Sequence, residues 1–268
     1  MIDTIRQWGD QWQPVLMTVA LLMSRMLVAF SVIPFFVGNS VPAFIRTIFV
    51  AGLAMSLLPM AMADSAVSAI PLTGMALYVA KEAAIGLVLG LLASAGFWAL
   101  YMAGTIIEFQ AGLTFATAID PLTGQDDSLV GGLLMRLFSI VFLITGGLLS
   151  LISLLFDSYR LWPLSKMAPV VGNLQLVEAV LRGFTAMVVL AVKVAAPFLI
   201  LMLLIEMALG FLSRFAPQLN VFFVALPLKA LMLAVLLLLY GMVVASSGEL
   251  FAVGNLSRVL DPLRSVLP

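Results

Sequence analysis

The sequence predicts an all-α membrane protein with about six hydrophobic, partly kinked helices arranged as helical hairpins. Of its 268 residues, 63% are hydrophobic and 10% are charged, whereas a soluble domain has about 45–50% apolar and about 25% charged residues. Several apolar stretches reach the length of about 20 residues that a helix needs to cross a bilayer. No alternating pattern suggests a β-barrel, so each stretch must satisfy its own backbone as a helix.

Six apolar stretches follow an N-terminal segment that lacks the basic start of a signal peptide. They run approximately over Val15–Phe36, Ala43–Ala63, Met75–Ile107, Leu129–Phe156, Phe184–Leu212 and Val221–Ala245. The polar links after the first two are short, which indicates tight hairpins. Four prolines inside these stretches should kink or break their helices, because each removes a backbone hydrogen bond: Pro34, Pro59, Pro197 and Pro227. Because no soluble segment interrupts the stretches, we expect residues 1–268 to form a single integral membrane domain.

Composition also excludes most catalytic chemistry. The chain has no Cys and no His, which excludes thiolate nucleophiles, Ser-His-Asp triads and the common zinc sites. We find no phosphate-binding loop, no dinucleotide fingerprint and no GxGD context around Asp120. Lys plus Arg and Asp plus Glu number 13 each, so there is no basic excess of the kind that binds nucleic acid. We therefore expect no enzyme, no catalytic residue, no metal and no other cofactor.

Ionisable side chains within apolar stretches call for partners, because an unpaired charge in that environment is costly. Those that we single out are Lys81, Glu82, Glu108, Arg136, Lys193, Glu206 and Lys229. Glu206 and Lys229 are about equally far from the turn around residues 216–220, and Glu108 and Arg136 flank the turn around residues 120–124 in the same way. We hypothesise that each is an ion pair within a hairpin. The alternative is that the charges simply lie near span ends and that the symmetry is coincidental.

The segment Phe109–Ser128 mixes glycine, proline and hydroxyl side chains between two strongly apolar stretches. One interpretation is an ordinary surface loop with a turn at Asp-Pro. The other is a re-entrant or plug loop, since irregular backbone at membrane depth is tolerated only against protein or a water-filled path. We call this segment the plug segment. Its candidate channel residues, of which Leu113, Phe115 and Leu122 would supply hydrophobic closure, are Gln110, Gly112, Leu113, Phe115, Asp120, Pro121, Leu122 and Gly124.

Gly86 and Gly90 form a GxxxG motif in the third stretch, as GLVLG. Small residues at this spacing let two helices approach closely. The motif is common in apolar helices, so we interpret these glycines as helix packing positions.

Two longer segments resemble one known family. They are GTIIEFQAGLTFATAIDPLTG at 104–124 and EMALGFLSRFAPQLNVFFVALPLKALMLAVLLLLY at 206–240, and they resemble component T of the type III secretion export apparatus. Its flagellar counterpart is the flagellar biosynthesis R protein. The combination of Glu206 and Lys229 resembles the virulence-associated (injectisome) branch more closely than the flagellar one.

The resemblance implies a structural, channel-forming subunit of an export gate in the bacterial inner membrane. It implies assembly with export components R and S, contact with switch component U, with component V as a further candidate, and passage of unfolded proteins. The plug segment would then contribute to the gate constriction, with Phe115 as its channel-facing aromatic side chain. The resemblance also implies a turn motif of the last hairpin, formed by Arg214, Pro217, Gln218 and Asn220.

A second function class stays open at this point. Kinked helices with interior charges are also typical of secondary transporters, which often contain inverted repeats around a site at the membrane midplane. We find no convincing repeat in this sequence. A gate subunit should be recovered together with partner proteins, whereas a transporter should be stable alone and bind a small solute.

Overall fold

The computed structural model describes residues 2–37, 41–64, 67, 70, 74–113, 128–167, 173–216, 218 and 220–246. Its described part contains a 3-10 helix at Pro34–Phe36 and seven α-helices, with no β-strand among the described residues. The α-helices are α1 (Ile2–Val32), α2 (Ala43–Met62), α3 (Met75–Ala111), α4 (Leu129–Ile144), α5 (Gly147–Leu161), α6 (Asn173–Phe215) and α7 (Val221–Ser246). The predicted all-α class is therefore confirmed.

Four of these helices contain segments that are long and apolar enough to cross a membrane: Trp12–Val32, Ala43–Met62, Met75–Ala111 and Val180–Phe215. Helices α4 and α5 qualify only as one bent span, and the apolar part of α7, Phe223–Leu239, is shorter. The six stretches that we expected thus correspond to four spans, a fifth bent one and a shorter apolar helix. This is the pattern of a membrane protein.

The fourth predicted stretch, Leu129–Phe156, is two helices and not one. Helix α4 ends at Ile144, α5 begins at Gly147, and the two are bent by 74°. Gly146 between them has a φ of +78°, in the left-handed region where glycine carries no steric penalty. Sequence hydropathy does not reveal this break because the residues directly before and after it are apolar.

The prolines have unequal effects. Pro34 begins the 3-10 helix directly after α1, so it marks the end of that helix as expected. Pro59, Pro197 and Pro227 lie inside α2, α6 and α7, which continue on both sides of them. These three prolines therefore do not break their helices, and the kink expected at each of them stays a prediction.

Two compact units make up the described chain. Unit 1 comprises residues 2–94 and 148–183, and in it α1 packs on α2. Phe30 of α1 contacts Phe36 and Phe49 edge-on, with ring centroids 4.8 and 5.6 Å apart. A Cβ on Gly86 would lie 2.2 Å from the carbonyl oxygen of Arg25. The backbones of α1 and α3 are therefore almost in contact at the GxxxG motif.

Unit 2 comprises residues 95–147 and 184–246. Phe97 of α3 packs edge-on against Phe138 and Phe142 of α4, with centroids 4.8 and 5.2 Å apart. Farther along α3, a Cβ on Gly104 would lie 2.4 Å from backbone atoms of Gly131. The C-terminal half of α3 is thus held closely against α4, which positions the two ends of the plug segment.

Candidate functional site

The plug segment begins where α3 ends. After Ala111, Gly112 adopts a φ of +77°, and the N–H of Leu113 donates to the carbonyl of Glu108 at 3.3 Å. This is the hydrogen bond of a glycine-terminated helix end, and it turns the chain away from the α3 axis. Five predicted plug residues lie outside the described residues: Phe115, Asp120, Pro121, Leu122 and Gly124.

The start of the plug segment is bound to an ion pair between α6 and α7. The Lys229 ammonium contacts Glu206 Oε1 and donates to the Gln110 carbonyl at 3.1 Å. Gln110 Nε2 in turn donates to Glu206 Oε2 at 3.4 Å. The Lys229 side chain is 8% exposed and the Glu206 side chain 43% exposed. The structure therefore brings this hypothesised pair together and adds Gln110 to it.

The end of the plug segment is bound to Glu108. Glu108 is buried, and its Oε2 accepts hydrogen bonds from the Ser128 hydroxyl and from the N–H of Val130, the latter at 3.2 Å. Ser128 Oγ also accepts from the N–H of Gly131 at 2.9 Å, which makes it the N-cap of α4. The carboxylate thus lies at the N-terminus of a helix, where negative charge is favoured.

The prediction that Glu108 forms an ion pair with Arg136 is wrong. Arg136 is exposed on α4, two turns beyond the cap, whereas Glu108 is occupied by Ser128 and the backbone of Val130. Equal sequence distances from the turn do not bring the two side chains together, because the Glu108 carboxylate meets the first turn of α4, whose unpaired N–H groups are strong partners. Both ends of the plug segment are consequently held at the last turn of α3, one through Gln110 and the other through Glu108.

A groove of about 340 Å³ lies beside the Glu206–Lys229 pair. It is lined by the end of α3 together with α6 and α7 and is mainly apolar, with Phe109, Leu209 and Leu226 among its walls. The half-exposed carboxylate of Glu206 borders it. The arrangement can accept an apolar side chain with a hydrogen-bond donor close by.

Unit 1 contains a second charge network, built around a fully buried ion pair. Arg25 Nε lies 2.6 Å from Glu82 Oε2, and both side chains are 0% exposed. Lys81 Nζ lies 2.7 Å from Glu82 Oε1 and donates to the carbonyls of Leu164 and Lys166 at 2.9 and 3.1 Å. Two cations therefore share one buried carboxylate, and the second cation also holds the segment after α5.

All three nitrogen atoms of the Arg25 guanidinium group donate hydrogen bonds. Nη1 donates to Ser158 Oγ at 3.0 Å and Nη2 to the Trp162 carbonyl at 2.9 Å, while the group lies 4.0 Å from the centroid of the Tyr159 ring. Our sequence reasoning missed Arg25, although it is the single charge in the stretch Val15–Phe36 and such a residue is a functional candidate by default. Ser158 and Tyr159 carried no comparable signal.

The remaining predicted site residues lie apart from these clusters. Lys193 is exposed on α6, and Arg214 is exposed in its last turn. Gln218 and Asn220 are exposed before α7, whereas Pro217 lies outside the described residues. Within the described ranges, no group of three acidic side chains is arranged to hold a metal ion.

Exchanging the charges of Glu206 and Lys229 tests their pairing. Glu206→Lys and Lys229→Glu should each lower the free energy of unfolding by about 1–3 kcal/mol, because each leaves a charge next to a like charge in a partly buried place. The double exchange should recover about half of that loss, with thermal unfolding in detergent as the measurement. The same exchange at the exposed Glu178–Arg182 pair is the control, expected within about 0.5 kcal/mol. A double variant no more stable than either single one would contradict the pairing.

Comparison with known proteins adds to this geometry. Residues 16–252 match the profile of the bacterial export proteins, family 1. The Yop proteins translocation protein T of Yersinia pestis is 34% identical over 261 residues, which cover 97% of this chain and 98% of that protein. The surface presentation of antigens protein SpaR of Salmonella typhimurium is 36% identical over 60% of each chain. The flagellar biosynthetic protein FliR of Bacillus subtilis is 34% identical over 56% of this chain and 58% of its own length.

Proposed function

This chain belongs to the bacterial export proteins, family 1, and on that premise we propose how it serves as a subunit of a type III secretion export gate. The resemblance read from residues 104–124 and 206–240 is confirmed by that membership. The gate subunit is a membrane protein of apolar helices, and we place it in the bacterial inner membrane. We assign it to the injectisome branch.

The observation that carries the proposal is similarity along the whole chain. The match to a Yop translocation protein T covers 97% of this chain, so it includes both the plug segment and the last hairpin. Shorter matches to proteins named for antigen presentation and flagellar biosynthesis cover more than half of the chain. What these names share is export of proteins or construction of the machinery for it. A secondary transporter of small solutes has no comparable support.

We propose that the chain works inside a hetero-oligomer, with residues 1–268 acting as one export-gate domain. Its partners would be components R and S, switch component U and component V, with unfolded proteins in transit. The relatives are export apparatus proteins and not known enzymes, so the proposed role is structural and non-enzymatic. Extensive apolar exposure on α6, including Phe184, Ile200 and Phe211, supports burial against other subunits or lipid.

Within the gate, we propose that the plug segment forms part of the constriction. Its two ends are anchored at the last turn of α3 by Glu108 and by the Glu206–Lys229 pair. A segment held at both ends can place apolar side chains such as Phe115 and Leu122 in a passage while its ends stay in place. Phe115 is the aromatic side chain that would meet the substrate.

Co-purification from the native cell, with a probe in the plug segment, tests this function. A tagged chain should bring down the other export components in a common complex, and its deletion should abolish secretion. A photo-crosslinking amino acid in place of Phe115 should form an adduct with a stalled substrate, because a constriction touches whatever passes through it.

The controls for this experiment separate the role in export from the role of the loop. The same probe in place of Ile48, an exposed residue of α2, should form no adduct with substrate. If the chain is stable alone and binds a small solute, the proposed role in an export gate is wrong. If the gate assembles and secretes normally after alanine replacement of Leu113–Leu122, the plug segment does not form part of the constriction.

A further inference from the structure

Helix α6 has more apolar length than a bilayer can cover. Its apolar stretch, Phe184–Leu212, is about 29 residues long and therefore spans about 44 Å at about 1.5 Å per residue. A hydrocarbon core of about 30 Å accommodates only about 39 Å of helix even at the steep tilt of about 40°. About three residues of this stretch then extend beyond the lipid, and the charge of Lys193 lies within the stretch. Helix α2, with 20 residues, fits a bilayer without such an excess.

Lys193 lies on the uncovered side of this helix. The buried residues of α6 include Ala191 and Ala195, which are each two residues from Lys193 and hence about 200° around the helix axis. Lys193 is exposed, and it makes no ion pair or hydrogen bond with any residue that the structure describes. Its ammonium group therefore points away from the buried face of α6.

The positions around Lys193 have the spacing of a helix pairing seam. They are separated alternately by four and three residues, the period at which two helices pack knobs into holes: Val189, Lys193, Ala196, Ile200, Leu203 and Met207. Val189, Ile200, Leu203 and Met207 are exposed large apolar residues. One turn on, a Cβ at Gly210 would meet no atom within 4 Å, so that position leaves room for a partner. We call these positions the α6 seam.

We propose that the α6 seam docks an apolar helix of a partner export component that places an Asp or Glu side chain opposite Lys193. The inference rests on the proposed function, since it requires an assembly of export components. The apolar positions of the seam supply contact area, as they do in other helix pairs. The ammonium group selects the partner and fixes its register, because a polar group in an apolar seam is tolerated only opposite its counterpart.

Photo-crosslinking in the secretion-competent cell tests what covers the seam. A crosslinking amino acid replaces Ile200 on the seam or, as the control, Ile48 on α2; these residues are exposed to similar extents, 61% and 55%. The Ile200 probe should form an adduct with another export component, and the Ile48 probe should label mainly lipid. If the Ile200 probe labels lipid to the same extent as the Ile48 probe, the seam does not dock a helix.

Charge reversal tests the role of Lys193. Lys193→Glu should lower the recovery of the seam partner by about tenfold or more, because it places two carboxylates face to face in an apolar contact. Lys193→Arg should stay within about twofold of the unchanged chain, since it keeps the charge. The matched control is Arg182→Glu, the same reversal on the same helix at an exposed residue, also expected within about twofold. A partner Asp or Glu changed to Lys should restore recovery with Lys193→Glu.

The outcomes distinguish this inference from the proposed function. If the unchanged chain recovers export components while Lys193→Glu behaves like Arg182→Glu, the seam is rejected and the gate stands. If the unchanged chain recovers no export component and the Ile200 probe labels none, the gate is rejected and the seam with it. The Ile200 crosslinking experiment keeps Lys193, so its result does not depend on whether Lys193→Glu folds correctly.

Discussion

Replacing Arg25 by Met should lower the free energy of unfolding by about 3–5 kcal/mol, the penalty for removing one partner of a buried ion pair. Arg25 and Glu82 are completely buried and 2.6 Å apart, so the change leaves the carboxylate with Lys81 alone. It also removes donors to Ser158 and to the Trp162 carbonyl. The measurement is thermal or denaturant unfolding of the purified complex in detergent, together with the amount of chain that accumulates in the membrane.

Arg25→Lys separates charge from shape. A lysine keeps the positive charge, but its single ammonium group cannot reach three acceptors in the fixed geometry of a guanidinium. We therefore expect Arg25→Lys to lower the free energy of unfolding by less than Arg25→Met does. Arg160→Met is the control, because Arg160 forms an exposed pair with Asp157 at 3.7 Å, and it should change stability by less than about 0.5 kcal/mol. If Arg25→Met and Arg160→Met unfold alike, the network does not stabilise unit 1.

Adding one methyl group at Gly86 should lower the free energy of unfolding by about 1–3 kcal/mol, the usual range for overpacking. The new Cβ would lie 2.2 Å from the Arg25 carbonyl oxygen and 3.0 Å from its carbonyl carbon. These are backbone atoms of another helix, so α1 and α3 must separate to relieve the contact. The same separation would lengthen the Arg25–Glu82 contact. The melting temperature of Gly86→Ala in detergent measures the effect.

Gly52→Ala provides the matched control for this substitution. Gly52 lies in α2, and a Cβ there would meet no atom within 4 Å. Because alanine is a better helix former than glycine, this change should be neutral or stabilise the helix by up to about 1 kcal/mol. Gly90→Ala should follow Gly86→Ala, since its Cβ would lie 2.7 Å from the Ala29 carbonyl oxygen. Equal melting temperatures for the Gly86 and Gly52 variants would refute close packing of α1 on α3.

The two ion pairs predicted within hairpins differ in outcome, although both rest on the same symmetry in the sequence. Glu206 and Lys229 meet because only five residues separate the end of α6 from the start of α7. Glu108 and Arg136 have the same symmetry, yet Glu108 meets Ser128 and Val130 instead. The link between α3 and α4 is long, so residue counting from its centre does not determine the register of the two helices. The backbone N–H groups at the start of α4 then attract the carboxylate.

The sequence by itself determined the environment and the family of this protein. Hydropathy over about 20 residues is a local property, and the segments at 104–124 and 206–240 were sufficient to indicate the export gate. Only the tertiary structure decided which helices touch, since contact depends on how side chains pack across elements far apart in the chain. Arg25 illustrates the difference: it is one charge in an apolar stretch, and its partner Glu82 follows 57 residues later. Gly146 likewise bends α4 against α5 without altering the hydropathy on either side.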